Sequence, residues 1–277
     1  MKERPHIDER DCLIRQAEAK DRNDLLRIAR GTWGGSDYLP RVMEEWSAEP
    51  WFLVCEYKGH AVGCLKMTMF PDNVLWFEGL RVLSRYQNRG IATLLNRWAF
   101  AIAAEEKRTN PRLSFEFCTY YLNAESLHLT EKMGFQTVTR FYTMNKRGVK
   151  SVREPRIIRD FDLSWFHRFR DYIPCAWQSV HKVPDSLPFL RKHGYIIQTP
   201  HAAYYCGGHH ERDITLLEPP GISLAKDLPY LQHCFGSRKG YSIIFPAEFQ
   251  DCLPLLEHKG FRFWEGERVE NMLILKL

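Results

Sequence analysis

The chain has 277 residues, 44% hydrophobic and 26% charged, with a formal net charge of +5. That balance suits a globular protein with a real core and excludes the low-hydrophobicity, high-charge make-up of a disordered chain. No long Lys/Arg run, basic helix or RNA-binding aromatic motif is present, which argues against a nucleic-acid binder, whereas a mild positive excess suits an enzyme that takes a polyanionic ligand.

In chain order, Cys12 to Ala17 reads as a first strand, and Asp21 to Ala29 as an amphipathic helix carrying Leu25, Leu26 and Ile28. A Gly-rich loop, Gly31 to Pro40, precedes a short helix from Val42 to Ala48. Trp51 to Tyr57 and Ala61 to Phe70 form a hairpin around Lys58-Gly59-His60, and Val74 to Val82 is the next strand. Gly90 to Glu106 carries the strongest helical period, with Ile91, Leu95, Trp98 and Ile102 on one stripe. Leu113 to Tyr121 is a strand, Ala124 to Met133 a helix stopped by Gly134, and Phe135 to Met144 a strand. The order βααβββαβαβ is a mixed α/β unit. The polar stretch Asn145 to Glu154 marks the expected domain boundary, giving residues 1–146 and 147–277.

The second half is expected to hold strands at Arg156 to Phe161, Tyr241 to Phe245, Phe261 to Trp264 and Met272 to Leu277. Helices are expected at Leu163 to Arg170 and Asp251 to Lys259. One echo links the halves: Leu129-Thr-Glu-Lys-Met-Gly-Phe135 resembles Leu255-Leu-Glu-His-Lys-Gly-Phe261. Either the halves are structural repeats, or both simply use the common helix-Gly-aromatic ending.

Eight cysteines, at 12, 55, 64, 118, 175, 206, 234 and 252, form no CxxC pair, so free thiols in a reducing compartment are expected and no zinc site is. His209-His210-Glu211 follows Gly207-Gly208 and reads as solvated loop rather than as a metal centre. The charged stretch Met1 to Asp11 lacks an apolar signal core, and no apolar run reaches membrane-spanning length. The expectation is a soluble, cytoplasmic protein with no membrane partner.

The chemistry concentrates in Glu78-Gly-Leu-Arg-Val-Leu-Ser-Arg-Tyr-Gln-Asn-Arg-Gly-Ile-Ala92. A strand runs into a turn and at once into a helix, whose N-terminus offers free N–H groups and partial positive charge to a pyrophosphate. Gly90 lets the backbone approach phosphate, and Arg85 and Arg89 add charge. A plain strand-turn-helix with basic surface residues would look the same.

Gln87-Asn-Arg-Gly90-Ile-Ala92 resembles the Arg/Gln-x-x-Gly-x-Gly/Ala motif of the GCN5-related N-acetyltransferase (GNAT) superfamily. Asn123-Ala-Glu-Ser126-Leu-His-Leu-Thr130-Glu-Lys-Met-Gly-Phe135 is similar to that family's second segment. The resemblance covers roughly residues 12 to 145. It implies a GNAT fold, and because the second half has no second Gln/Arg-x-x-Gly-x-Gly/Ala segment, a degenerate GNAT-like α/β lobe without a cofactor is expected to follow. Ser237-Arg-Lys-Gly240 is the nearest thing to such a segment in that lobe, and a strand follows it instead of a helix. The resemblance also implies acetyl-CoA as cosubstrate, held by Leu80, Arg81, Val82, Gln87, Asn88, Arg89, Gly90, Ile91, Ala92, Asn123 and Ser126. The family often has Tyr where this chain has Thr130, and that Tyr commonly protonates the leaving thiolate; here Tyr120, Tyr121 or a water could serve instead, or no side chain need do it. Within the superfamily, Gly34-Gly-Ser-Asp-Tyr-Leu-Pro40 and Phe77-Glu-Gly-Leu-Arg-Val82 resemble the histidine N-acetyltransferase-like subgroup. That implies transfer to the α-amine of a free amino acid, histidine leading, with polyamine, lysine or protein N-terminus acceptors and a non-catalytic CoA-binding module as alternatives.

Transfer needs a neutral amine, so a base helps. Glu78 is the candidate catalytic base, on one strand face with Leu80 and Val82; the alternative is a structural Glu bonding Arg81 or a neighbouring strand. Asp37 could pair with an acceptor ammonium and Tyr38 could pack on its side chain, or Asp37 could cap the next helix. Trp33, Trp76 and Phe77 are candidate walls or core.

Overall fold

The computed structural model describes residues 5–237 and 239–277. Met1 to Arg4 of the charged N-terminal stretch, and Arg238 of the Ser237–Gly240 segment, lie outside the described residues. Contacts divide the chain into two compact units. The first holds residues 1–69 and 73–117, and the second holds residues 70–72 and 118–277.

The first unit starts with β1 (Cys12–Gln16), α1 (Arg22–Arg30) and α2 (Leu39–Ala48). It continues with β2 (Phe52–Tyr57), β3 (His60–Phe70), β4 (Val74–Val82), α3 (Ile91–Thr109) and the start of β5 (Ser114–Tyr120). The strands lie in the order β1-β2-β3-β4-β5. β1 and β2 are antiparallel, as are β2 and β3, whereas β4 and β5 run parallel. The parallel step follows from the long crossover through α3. Apolar side chains of α1, α2, β2 and β3 form one core: Leu25, Ile28, Val42, Trp46, Phe52 and Val54 are buried together. Gly63 on β3 is required by close packing, since a Cβ there would lie 2.9 Å from Ile91 and 3.1 Å from Leu95 of α3.

The second unit begins with α4 (Ala124–Lys132), β6 (Gln136–Lys146), β7 (Arg156–Ile158) and the hairpin β8 (Tyr172–Cys175) and β9 (Gln178–His181). α5 (Leu187–His193), β10 (Gly194–Gln198), β11 (Ala203–Gly207) and β12 (Asp213–Leu216) follow. α6 (Leu224–His233), β13 (Tyr241–Pro246), α7 (Leu253–His258) and β14 (Met272–Lys276) complete it. Its main strands lie in the order β14-β6-β13-β12-β11-β10-β7. β12 and β13 are parallel and the other recorded pairs antiparallel. Tyr142, Ile197, Ile214, Ile243, Phe245 and Phe261 belong to its core.

Unit 2 departs from the sequence expectation in three places. Leu163 to Arg170 is not a helix: a single 3-10 turn, Leu163–Phe166, forms where the Asp162 carboxylate accepts the Ser164 N–H. Phe261 to Trp264 is not a strand, since only Arg262 pairs, in one bridge with Asn145. The compact division falls before residue 146, because β6 takes its ladders from β13 and β14.

The echo between the halves has a structural counterpart. Gly134 and Gly260 adopt φ of 89° and 88°. Each helix closes with the same pair of bonds, Phe135 N–H to Thr130 and Gly134 N–H to Glu131, and Phe261 N–H to Leu256 and Gly260 N–H to Glu257.

Candidate active site

β4 is the strand around which the site of the first unit is built. Its ladder with β5 records Val74↔Ser114, Leu75↔Phe115 and Trp76↔Glu116 and no pair beyond Trp76 among the described residues. Past that point Gly79 takes φ of 73°, a left-handed kink inside a strand. The kink resets the alternation: residues 74–77 are all buried, whereas Glu78, Leu80 and Val82 are half-buried and Gly79 and Arg81 buried. Glu78, Leu80 and Val82 thus share one degree of burial, with the left-handed Gly79 between the first two. The Thr68 hydroxyl on β3 donates to Glu78 Oε1 at 2.8 Å and fixes that carboxylate on its strand. Sequence spacing gave no sign of Thr68; only the β3–β4 pairing makes the two neighbours.

Arg81 is not a surface cation. Its Nε and Nη2 donate to the two oxygens of Asp37 at 2.9 and 3.1 Å. The Trp33 and Tyr38 rings lie 4.7 and 5.0 Å from the guanidinium. Asp37 Oδ1 also accepts the Leu39 N–H at 3.1 Å, the capping role that was the alternative for this residue. With both oxygens engaged and its side chain 0% exposed, Asp37 has no face for an acceptor ammonium. Its role at the site is to hold Arg81. Burial raises the Tyr38 phenol, with the Glu78 carboxylate adding to the shift, so Tyr38 stays protonated. Trp76 and Phe77 are core, whereas Trp33 is 61% exposed.

Beneath the kink, Cys64 on β3 donates its thiol to the Gly79 carbonyl at 3.5 Å. Burial pushes this thiol up to about 12, so it stays protonated at neutral pH, and with no exposed surface it is poorly placed to act as a nucleophile.

After β4 the chain makes a 3-10 turn, Ser84–Tyr86, and enters α3 through Gln87 to Gly90. Gln87 Nε2 donates to the Val82 carbonyl at 3.2 Å and closes the turn. Asn88 and Gly90 both sit in the left-handed region, at φ of 58° and 91°. Leu94 N–H donates to the Gly90 carbonyl as the first helical bond, leaving the N–H groups of Ile91, Ala92 and Thr93 without acceptors inside the helix. The guanidinium groups of Arg85 and Arg89 lie 4.9 and 5.7 Å from the Tyr86 ring. Helix-start N–H groups, two guanidinium groups and a β4 edge without ladder bonds to β5 beyond Trp76 fit an anionic diphosphate carrying an amide-bearing arm.

Residues 22–135 match the Acetyltransferase (GNAT) family. This segment belongs to the GNAT family. Over 99 residues the chain is 31% identical to an uncharacterized N-acetyltransferase of Chlorobaculum tepidum, covering 35% of this chain and 63% of that protein. Over 138 residues the chain is 25% identical to a histidine N-acetyltransferase of Xenopus tropicalis, covering 48% of this chain and 38% of that protein. The chain thus spans less than two thirds of each of these relatives. Two crystal structures share the fold over nearly the whole chain. One, from Thermoplasma acidophilum, has a TM-score of 0.66 at 14% identity and covers 96% of this chain and 99% of its own. The other, a GCN5-related N-acetyltransferase of Sphaerobacter thermophilus, has a TM-score of 0.63 at 11% identity and covers 96% and 95%. At such identities they speak for the fold alone. Acetyl-CoA is the acetyl donor of the GNAT family.

The other predicted cofactor residues of the GNAT segment, Asn123 and Ser126, lie in the second unit. Asn123 caps α4, its side chain accepting the Ser126 N–H at 3.3 Å and donating to Thr119 at 3.2 Å. The Thr130 hydroxyl donates back to the Ser126 carbonyl at 2.8 Å, which spends its proton inside the helix. Tyr121 donates to Glu267 at 2.8 Å. His209 and His210 are half-buried rather than solvated, with ring centroids 4.1 Å apart and His193 4.2 Å from His209. No helix among the described residues is long and apolar enough to cross a membrane.

Proposed function

We propose that the chain transfers the acetyl group of acetyl-CoA directly to the α-amine of a free amino acid, with histidine the leading acceptor. The observation that carries this reading is the run from the kinked β4 into the Gln87–Ala92 turn. The run leads from Glu78, whose carboxylate Thr68 fixes, to the start of α3 at Ile91, which suits a diphosphate. The amine lone pair forms the C–N bond at the thioester carbon, the C–S bond breaks, and CoA departs as a thiolate. Glu78 takes the proton that the amine loses, directly or through one water. Main-chain N–H groups of Leu80 to Val82 steady the negative charge on the carbonyl oxygen. Gln87 to Ala92 hold the diphosphate. Tyr38 lines the acceptor side, on the Arg81–Asp37 pair. The inert Cys64 thiol favours direct transfer over a covalent relay.

Histidine leads because of the loop resemblance at Gly34 to Pro40 and the similarity to the Xenopus tropicalis histidine N-acetyltransferase. The test is acetyl-CoA consumption by the full chain against free amino acids, histamine, polyamines, lysine and peptide N-termini. Histidine turned over faster than histamine supports the reading. A polyamine or peptide as the best acceptor overturns the amino-acid assignment, and coenzyme binding without turnover of any amine makes the chain a binding module.

A further inference from the structure

We propose that Pro5-His6-Ile7 is a strap that holds the diphosphate loop in its binding shape, with His6 as a positioning residue against Gly90. The inference rests on the coenzyme-binding reading above. Ile7 N–H donates to the Arg89 carbonyl at 3.2 Å, and Arg89 Nε donates to the Pro5 carbonyl at 2.9 Å. These bonds run in opposite directions and clasp both the main chain and the side chain of Arg89. Between them lies His6, whose ring atoms Cε1 and Nδ1 are 2.7 Å from where a Cβ on residue 90 would sit. The strap is itself anchored. Ile7 is buried, Asp8 caps the turn Glu9–Asp11, and Glu9 takes two bonds from Arg97 of α3 at 2.7 and 2.9 Å.

The clasp matters because the loop it holds is unusual. Asn88 and Gly90 are both left-handed, and a loop that must be ordered on binding loses affinity to that ordering. Holding it beforehand removes the penalty. The Pro5 carbonyl is a neutral acceptor, so Arg89 loses its freedom of movement and keeps its full charge for phosphate. Gly90 then answers two demands: its left-handed φ, and the imidazole that occupies its side-chain space.

Calorimetry with free CoA on the full chain tests this, comparing wild type, His6→Gly, Glu9→Gln, Gly90→Ala and the His6→Gly/Gly90→Ala double variant. Amide hydrogen exchange of residues 88–92 is followed in parallel without ligand. His6→Gly is expected to weaken CoA binding about tenfold and to speed exchange in the loop. Glu9→Gln, a surface change that leaves the fold intact, shifts both readouts in the same direction by about twofold. Gly90→Ala should cost less affinity in the His6→Gly background than in wild type, because the imidazole it collides with is gone. If wild type gives no heat with CoA, the coenzyme reading fails and the strap with it. If wild type binds and His6→Gly matches it in affinity and exchange, the strap alone is overturned. An equal Gly90→Ala penalty in both backgrounds also overturns the His6 contact.

Discussion

Arg81 and Asp37 face each other through two parallel hydrogen bonds, with side chains only 6% and 0% exposed. The pair joins β4 to the loop ahead of α2, across 44 residues of sequence. A buried ion pair of this kind is poor evidence of net stability, but breaking one side strands the other. Asp37→Asn is therefore expected to lower unfolding free energy by about 3–5 kcal/mol, read by urea denaturation. Asp37→Leu combined with Arg81→Met should recover much of that loss. A single variant as stable as wild type would show that the guanidinium finds another partner.

Glu78→Gln keeps the Thr68 contact and removes the basic oxygen. The expected result is a fall in kcat of about a hundredfold or more with CoA affinity unchanged by calorimetry. A variant that loses rate and coenzyme binding together would assign Glu78 to structure.

Gly79→Ala probes the kink. A Cβ there would lie 2.7 Å from the Trp46 ring, which is held edge-on by Phe52 at 5.3 Å, and φ of 73° disfavours any side chain. A loss of about 1–3 kcal/mol is expected in thermal melts, with weaker CoA binding because β4 is re-aimed. Wild-type stability in this variant would mean that the kink relaxes freely.

Asp213 at the start of β12 gives the second unit a pH dependence. Burial, and to a lesser degree Glu211, raises its carboxyl to about 7 from an ordinary 3.8, while hydrogen bonds from Ser242 pull it part of the way back. The native state then binds this proton more tightly than the unfolded chain does. Stability from this group is full below about pH 4, declines as pH rises to about 7, and is level above. Asp213→Asn should raise stability at pH 8 by up to about 4 kcal/mol and change little at pH 4. Equal gains at both pH values would show that the carboxyl is already ionised at low pH.

Much of the first unit was legible because its elements are periodic. α1, α3 and the β2–β3 hairpin carry helical or strand repeats bounded by turn residues, and their limits fall within a few residues of expectation. In the second unit β8 and β12 are four-residue strands buried at every position, so no alternation betrays them. β10 and β11 are nearly as uniformly buried. The site divides along the same line. Gln87–Ala92 is a local pattern and could be read directly. The partners that fix its surroundings, Thr68 for Glu78, Asp37 for Arg81 and His6 for Gly90, are separated by 10, 44 and 84 positions, and only folding brings each pair together.

β6 is an eleven-residue strand bonded on one side to β13 and on the other to β14, both supplied by the last 37 residues of the chain. A fragment cut at residue 146 would keep every residue of the Gln87–Ala92 turn yet leave this strand bare along both edges. Such a fragment invites strand-to-strand association between copies. Insolubility of the isolated N-terminal half would then report on missing neighbours for β6, not on any fault in the Gln87–Ala92 turn.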